Sequence, residues 1–430
     1  MNFQPTRHHV HNAVRVSAIA SLVAAGGVFG AAAPARADAF QLSSIVTDDN
    51  ANLTALGFAP AITEDTNLVN PWGVSFTPTT SPFWISDNGT GLASLYRATG
   101  VEVTPPSPVT IAAPMVPPPG FMAAAPTGQV NNQTSGFVVT EGGKSGPSLF
   151  IFATEDGTIS GWNPNVDPAS ILLKDNSGGG NGAVYKGLAI SPGPNGLLYA
   201  ANFRASAGAG AVEVYDQTMK LVNTITDPTL PKGYAPFNVQ VLNGKLYVTF
   251  ALQDPAKNNH DDLAGAGHGF IDVFNLDGTG MKRLVSNGVL DSPWGLAIAP
   301  AGFGTFAGDL VVGNFGSDPA APDVGSINAF DPSNGKFLGD LDNNAGNPIQ
   351  IPGLWDLTIG NQGTGVDPNA IYFTAGISTF GVPDSDETHG LFGDVALVVP
   401  EPGSLALLVS GIAGFLWFRR RATDPRPLER

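Results

Sequence analysis

The side chains best suited to chemistry lie in two polar loops. QDPAKNNHDDLAGAGHG (253–269) holds two histidines and ISTFGVPDSDETHG (377–390) holds a third, and the chain has no other histidine after residue 37. Oxygen-rich loops suit Ca²⁺, and imidazole adds the option of a transition metal. The competing interpretation is solvated loop polarity without a ligand. The candidate ligand or metal face comprises His260, Asp261, Asp262, His268, Asp386, Glu387 and His389.

A second candidate set lies at the ends of predicted strands. Its members are Asp87, Glu155, Asn202 and Asn314. If the strands surround one axis, these side chains converge at the mouth of a central channel and would hold a Ca²⁺-like ion. Polar residues at strand ends are also ordinary turn starters, which is the structural alternative.

The composition excludes several classes of function. Cysteine is absent, so a disulfide, a thiolate nucleophile and a Cys-ligated metal are all excluded. The motifs G-x-S-x-G and H-E-x-x-H do not occur. The formal net charge of −16 repels phosphate backbones and predicts no nucleic-acid partner. A non-enzymatic binding or scaffold module is therefore the first hypothesis, and a metal-dependent hydrolase or lactonase is the alternative.

A six-fold repeat supplies the elements that must position these residues. NPWGVSFTP (70–78) returns as SPWGLAIAP (292–300). The weaker copies are TSGFVVT (134–140), YKGLAISP (185–192), APFNVQVLN (235–243) and GLWDLTIG (353–360). Each copy is followed by two strand-like segments with Gly-containing turns. Three or four short strands per unit, repeated six times, predict an all-β, six-bladed β-propeller over 38–398.

The ring of such a propeller must close or leave exposed strand edges. The last unit has no fourth strand before Pro400, whereas FQLSSIVTD (40–48) is strand-like and belongs to no unit. We therefore predict that this N-terminal segment is the closing strand of the sixth blade. Trp72, Trp294 and Trp355 occupy one repeated position and are expected to serve packing.

The N-terminus has the layout of a secretory signal peptide. Residues 1–15 include Arg7 and Arg15, residues 16–33 are mostly apolar and small, and Ala35-Arg36-Ala37 forms an A-x-A site. We predict that residues 1–37 are the signal peptide and that cleavage follows Ala37.

The C-terminus combines three features in order. Val399-Pro400-Glu401-Pro402-Gly403 comes first, 404–418 is uncharged and apolar, and Arg419, Arg420 and Arg421 follow. This predicts a short transmembrane helix over 404–418, with the arginines and a tail of 422–430 in the cytoplasm. The tail (399–421) resembles the PEP-CTERM sorting signal of Gram-negative bacteria. That resemblance implies recognition by the membrane enzyme exosortase, transient anchoring in the inner membrane, cleavage near Pro-Glu-Pro, and delivery to the outer envelope or the exopolysaccharide matrix.

The middle of the chain resembles NHL-type six-bladed propellers through its Pro-Trp-Gly repeat followed by FWISDNG. Together with the tail, the segments NLVNPWGVSF, ANFRA, NNHDDLAGAGHGFIDVF, GLWDLTIG and HGLFGD resemble an uncharacterised bacterial family of such propellers. The resemblance implies a fold and a location, but no chemistry. A glycan or an extracellular protein is the expected ligand class, and Ca²⁺ is the first cofactor that the oxygen-rich loops suggest.

Overall fold

The structure is a computed structural model of the chain. It describes residues 38–79, 81–116, 123–178, 182–204, 210–316, 325–382 and 387–398. All the described residues belong to one compact unit, which begins at Asp38. The predicted signal peptide, the cleavage site at Ala37, the helix at 404–418 and the sorting-signal residues lie outside the described residues. Within them, no helix is long and apolar enough to cross a membrane.

Short β-strands dominate the described chain, in keeping with its turn-forming composition. The N-terminal segment contributes β1 (Phe40–Thr47), α1 (Asn50–Ala55) and β2 (Thr63–Glu64). Blade 1 consists of β3 (Pro71–Ser75), β4 (Phe83–Asp87), β5 (Leu92–Tyr96) and β6 (Val109–Thr110). Blade 2 consists of β7 (Pro126–Asn131), β10 (Phe150–Thr154), β11 (Thr158–Trp162) and β12 (Ile171–Asp175), with a hairpin of β8 (Val138–Glu141) and β9 (Lys144–Pro147) inserted after its first strand.

The next three blades repeat the four-stranded antiparallel pattern. Blade 3 consists of β13 (Tyr185–Ile190), β14 (Leu198–Asn202), β15 (Ala211–Tyr215) and β16 (Leu221–Ile225). Blade 4 consists of β17 (Tyr234–Leu242), β18 (Lys245–Leu252), β19 (Gly269–Phe274) and β20 (Lys282–Ser286). Blade 5 consists of β21 (Pro293–Ile298), β22 (Leu310–Asn314), β23 (Ile327–Phe330) and β24 (Phe337–Asp340). Short 3₁₀ helices cover Pro255–Lys257 and Gly304–Phe306.

Blade 6 is built from both ends of the described chain. Its strands are β25 (Leu354–Ile359), β26 (Ile371–Ala375), β27 (Leu391–Leu397) and the N-terminal β1, and β2 adds a parallel edge. β1 pairs antiparallel with β27 from Phe40 opposite Leu397 to Thr47 opposite Leu391. The prediction that 40–48 closes the sixth blade is confirmed. Closure protects the third strand of the blade from pairing with another chain.

The first strands of the six blades form a closed ring, because β3, β7, β13, β17, β21 and β25 each contact the next and β25 contacts β3. Glycine recurs in this ring because neighbouring backbones come very close. A Cβ on Gly73 would lie 2.7 Å from the carbonyl oxygen of Thr127, and one on Gly295 would lie 2.6 Å from that of Trp355. Where the repeat lacks glycine, a side chain bonds the next blade instead: Asn238 Nδ2 donates to Trp294 O at 2.8 Å, and Val74 N donates to Asp356 Oδ2 at 2.6 Å.

One assignment within the repeat was wrong. The inner strand of blade 2 is β7 with Gly128, whereas TSGFVVT (134–140) supplies a loop and the start of the inserted hairpin β8–β9. Gly128 packs against Gly187 and Leu188 of blade 3, as the ring requires. The six-bladed architecture is unaffected, because the second and third strands of every unit are where the repeat predicts them. The hydrophobic core consists mainly of clusters between adjacent blades.

Candidate functional site

Aromatic rings fill the axis of the ring, four of them from inner strands and two from residues that directly follow second strands. We call this set the axial aromatic cluster: Trp72, Phe203, Phe237, Trp294, Phe315 and Trp355. Trp72 and Trp355 stack with ring centroids 3.4 Å apart, and Trp294 meets each of them edge-on at about 6 Å. The predicted packing role of the three tryptophans is confirmed, and it is packing across the axis of the ring.

A lysine lies directly against this cluster. Lys186 follows the first residue of β13, its side chain is 3% exposed, and its ammonium lies 5.1 Å from the ring centroid of Trp72. The ammonium forms an ion pair with Glu155 and lies 4.0 Å from Asp261 Oδ1. Burial alone would lower the pKa of Lys186, but the charges of Glu155 and Asp261 outweigh it and raise that pKa. Lys186 therefore stays charged.

Acidic and imidazole groups from several blades surround this ammonium. We call the group the upper mouth: Glu155, Lys186, His260, Asp261, Asp262 and Glu387. The loop after β18 brings in His260, whose Nδ1 lies 2.6 Å from Asp261 Oδ1. The loop after β26 brings in Glu387, and the negative charges of Glu155 and Asp262 act on its carboxyl group. The two polar loops singled out from the sequence therefore contribute to one site.

Asparagine side chains join the upper mouth to the axial aromatic cluster. Asn70 Nδ2 donates to Glu387 Oε1 at 3.0 Å and to Asn88 Oδ1 at 3.2 Å. Asn88 Nδ2 donates to Glu155 Oε2 at 2.9 Å, and Trp355 Nε1 donates to Asn70 Oδ1 at 3.0 Å. This continuous chain of bonds fixes two carboxyl groups at the mouth without adding a positive charge.

The carboxyl groups of the mouth have different proton affinities. Burial raises the pKa of Glu387 to about 8, and the Glu155 carboxylate adds to this effect. Burial likewise raises the pKa of Asp262 to about 6, and its Oδ2 has no hydrogen-bond partner among the described residues. Burial also disfavours the charge of Asp261, but His260 and Lys186 outweigh it and lower its pKa to about 2. At neutral pH the mouth therefore combines a protonated Glu387 with ionised Asp261 and Asp262.

Three of these residues have the geometry of a metal-binding group. One ligand atom each from Glu155, His260 and Asp261 lies within 4.8 Å of the others. One imidazole and two carboxylates suit a divalent transition metal better than Ca²⁺, which prefers oxygen ligands alone. Glu155 already bonds Lys186 and Asn88, so an ion would share this carboxylate with the ammonium.

Other members of the predicted ligand face lie outside the mouth. His268 Nδ1 lies 2.9 Å from the carbonyl oxygen of Leu263, within its own loop. His389 Nδ1 lies 2.7 Å from Asp48 Oδ2, and the other oxygen of Asp48 accepts from Gly390 N at 2.8 Å. This pair ties the loop before β27 to the N-terminal segment. Asp386 lies outside the described residues.

The second predicted set is not brought together. Asp87 accepts a hydrogen bond from Ser94 at 2.6 Å, and Asn202 donates to Glu213 at 2.9 Å. Asn314 donates to Asn328 at 2.6 Å. All three are buried and bond within their own blades, whereas Glu155 faces the mouth. The channel-mouth set therefore needs correction: Glu155 belongs to the site, and Asp87, Asn202 and Asn314 stabilise strand ends.

Sequence reasoning missed Lys186, Asn70 and Asn88. Lys186 precedes the ring glycine of unit 3, at the position where the stronger copies of the repeat have tryptophan. A lysine at a position reserved for packing is the signal that aligning the six units would have exposed. Asn70 and Asn88 lie in the quoted segments NPWGVSFTP and FWISDNG, but asparagine is common in turns, and nothing in the sequence predicts that these two bond carboxyl groups.

Comparisons with known proteins place this chain in a family. An uncharacterised protein of Acanthamoeba polyphaga mimivirus is 33% identical over 338 residues, which cover 77% of this chain and 76% of the viral one. A second uncharacterised protein of the same virus is 31% identical over 340 residues, covering 77% of this chain and 81% of the other. The chain belongs to the family of these viral proteins. The predicted bacterial, NHL-like membership is not confirmed by them.

The PEP-CTERM protein-sorting motif matches residues 398–421 of this family member. The predicted sorting signal is therefore confirmed, and it implies export, membrane anchoring and processing by exosortase.

Among solved structures, a luciferin-regenerating enzyme matches with a TM-score of 0.42 and 13% identity over 77% of this chain and 91% of its own. A putative gluconolactonase matches with a TM-score of 0.32 and 12% identity over 83% and 98%. Values this low say nothing about activity.

Proposed function

We propose that this protein is an exported binding module of the outer cell envelope or the extracellular matrix, released from its membrane anchor by exosortase. The sorting motif supports the route, and the propeller supplies a rigid scaffold for a site on one face. The observation that carries the proposal is the upper mouth, where loops of different blades present carboxyl groups around a buried lysine. Rigid placement of polar groups at a propeller mouth is typical of ligand recognition.

The charges of the mouth select the kind of ligand. Lys186 neutralises one carboxylate, while Asp261 and Asp262 remain ionised at neutral pH and the Asp261 side chain is 46% exposed. Such a site favours hydrogen-bond donors and positive charge and disfavours anions. We therefore propose a glycan rich in hydroxyl or amine groups as the ligand.

A glycan array probed with the purified protein tests this proposal. The native protein should bind at least one hydroxyl- or amine-rich glycan, and Glu155→Gln or Asp261→Asn should weaken that binding at least tenfold. Asp331→Asn is the matched control, because Asp331 is an exposed acid whose carboxylate bonds only within its own turn in blade 5. Binding that both mouth variants leave unchanged would place the ligand elsewhere on the protein.

The second candidate function is a metal-dependent hydrolase, favoured by the Glu155–His260–Asp261 group. These residues would hold the ion, which would supply Lewis-acid chemistry when bound. Native protein should then retain a stoichiometric metal or melt at a higher temperature with Zn²⁺ or Mn²⁺, and His260→Ala should abolish the effect. Unchanged melting with every ion, and no metal in elemental analysis, would remove this candidate.

A further inference from the structure

A second cavity opens on the opposite side of the ring of inner strands. It has a volume of about 240 Å³ and is lined by the inner strands of all six blades, beyond the ring positions Asn238 and Asp356. We call it the lower cavity. A neighbouring cavity of about 390 Å³ shares Asn131, Gln133, Ile190 and Val241 with it, so the two spaces adjoin. None of the upper-mouth residues lines either cavity.

Two oxygen atoms of the residues that line this cavity lack partners in the described chain. Asp356 is 2% exposed, its Oδ2 accepts from Val74 N at 2.6 Å, and its Oδ1 has no partner. Asn131 Nδ2 donates to Leu149 O at 3.0 Å, and its Oδ1 is buried without a partner. Each side chain thus makes one hydrogen bond that fixes its position, while its second oxygen or its amide oxygen remains an acceptor without a partner. Burying an acceptor without a partner is unfavourable, so both atoms call for a donor from outside the chain.

The remaining lining determines which donor fits. No lysine, arginine or histidine lines the cavity, and Asp356 is its one acidic residue. A single carboxyl group is a poor site for a divalent cation, which needs several oxygen ligands and more negative charge. The neutral amide of Gln240 and the half-buried ring of Phe76 complete a surface that suits neutral, hydroxyl-bearing molecules. The volume equals that of roughly eight water molecules, which is enough for a small organic ligand.

We propose that the lower cavity binds one neutral sugar residue, whose hydroxyl groups donate to Asp356 Oδ1 and Asn131 Oδ1. The sugar is either free in solution or the terminal residue of a polysaccharide, since both present the same hydroxyl groups. This site is separate from the upper mouth, so its existence does not depend on the function proposed for that face.

Isothermal titration of the purified protein with glucose, galactose, mannose and N-acetylglucosamine, and with oligosaccharides ending in each, tests the proposal. At least one sugar should bind at millimolar concentration or below. If a free sugar binds with the same affinity as the oligosaccharide that ends in it, the cavity holds a single sugar residue. If the oligosaccharide binds more tightly, the cavity binds the end of a polysaccharide chain. Asp356→Asn should weaken binding at least tenfold, and Asn131→Ala should weaken it several-fold. Asp331→Asn is the control for loss of an exposed carboxylate.

Asp356→Asn is expected to fold, because the structure already has asparagine at the equivalent ring position of blade 4, Asn238. An unchanged circular dichroism spectrum and melting transition check this point, and Asn131→Ala provides a second variant outside the ring. Glu155→Gln distinguishes the two sites: heat that this variant loses belongs to the upper mouth, and heat that only Asp356→Asn and Asn131→Ala lose belongs to the lower cavity. The proposal is overturned if no sugar binds, if both cavity variants bind like the native protein, or if only Na⁺, K⁺ or Ca²⁺ produces heat that Asp356→Asn abolishes.

Discussion

Replacing Lys186 by methionine removes the only positive side chain that the structure shows in contact with Glu155. Methionine keeps an unbranched stem against Trp72, so the change is chiefly one of charge. Glu155 is 12% exposed and would retain only its bond from Asn88, while Asp261 and Asp262 would repel it without a cation between them. We therefore expect Lys186→Met to destabilise the protein strongly at neutral pH.

The size of this loss of stability follows from the burial of the Lys186–Glu155 ion pair. Removing one partner of a buried ion pair costs about 3–5 kcal/mol, because the other charge stays buried and unpaired. The lost contact with Trp72 adds about 0.5–2 kcal/mol. With an unfolding entropy of about 2.1 cal/mol/K per residue over roughly 360 residues, 3–5 kcal/mol lowers the melting temperature by about 4–7 °C.

The assay is urea and thermal unfolding followed by tryptophan fluorescence, which reports on the stacked Trp72 and Trp355. The double variant Glu155→Gln with Lys186→Met removes both charges and should recover at least half of the lost stability. Lys220→Met, at an exposed turn of blade 3, should change stability by less than about 0.5 kcal/mol. A Lys186→Met protein as stable as the native one, or a double variant no better than the single one, would refute the reasoning.

Three further predictions concern closure, pH and sorting. Deleting 38–47 removes β1 and leaves β27 as an open edge, so size-exclusion chromatography should show aggregation; a monomer with native melting would contradict this. Burial raises the pKa of Asp356 to about 7 and that of Glu387 to about 8, so between pH 4 and 8 the folded chain binds more protons than the unfolded chain. Stability should therefore fall as the pH rises from 5 to 8.5, less steeply in Asp356→Asn, and a rising urea midpoint would exclude this. In a host with exosortase, Glu401→Ala or deletion of 419–421 should leave the C-terminus at Arg430 uncleaved in the inner membrane; mass spectrometry of the C-terminus decides, and normal release would show that the motif is not read.

The strand pattern of the propeller was predictable because it depends on local signals. Alternating apolar residues and Gly-containing turns define the second and third strands of each unit, and the structure has them at those positions. The inner strand of blade 2 was missed because PTGQVN has threonine where the stronger copies have tryptophan, and its strand residues are mostly polar or small. TSGFVVT carried the more apolar pattern, yet its valines form a hairpin beside the blade.

The sequence predicted the two polar loops of the candidate site correctly, but it chose the wrong residues at the ends of the strands. The reason is the geometry of a β-strand. Successive side chains of a strand point to opposite faces, so a shift of one residue changes what each side chain meets. Asp87, Asn202 and Asn314 are the last residues of their strands, whereas Glu155 follows the last residue of its strand. Its equivalents are therefore Asn88, Phe203 and Phe315. Asn88 bonds Glu155, and the two phenylalanines belong to the axial aromatic cluster.

The lysine at the upper mouth stands at a position of the inner strands that the repeat reserves for packing. In the inner strands, the residue before the ring position is Trp72, Thr127, Lys186, Phe237, Trp294 and Trp355 in blades 1 to 6. Four of these six are aromatic and fill the axis, so packing alone would favour another apolar residue in blade 3. A lysine there requires a buried carboxylate to compensate its charge, and that carboxylate in turn lies beside further acids from blades 4 and 6. Such a departure from a local packing rule, matched by groups from several blades, is expected where a fold has been adapted to a site rather than to stability. The double variant Glu155→Gln with Lys186→Met tests whether the ion pair serves binding or stability. A double variant that is as stable as the native protein and no longer binds a glycan would show that the pair serves binding.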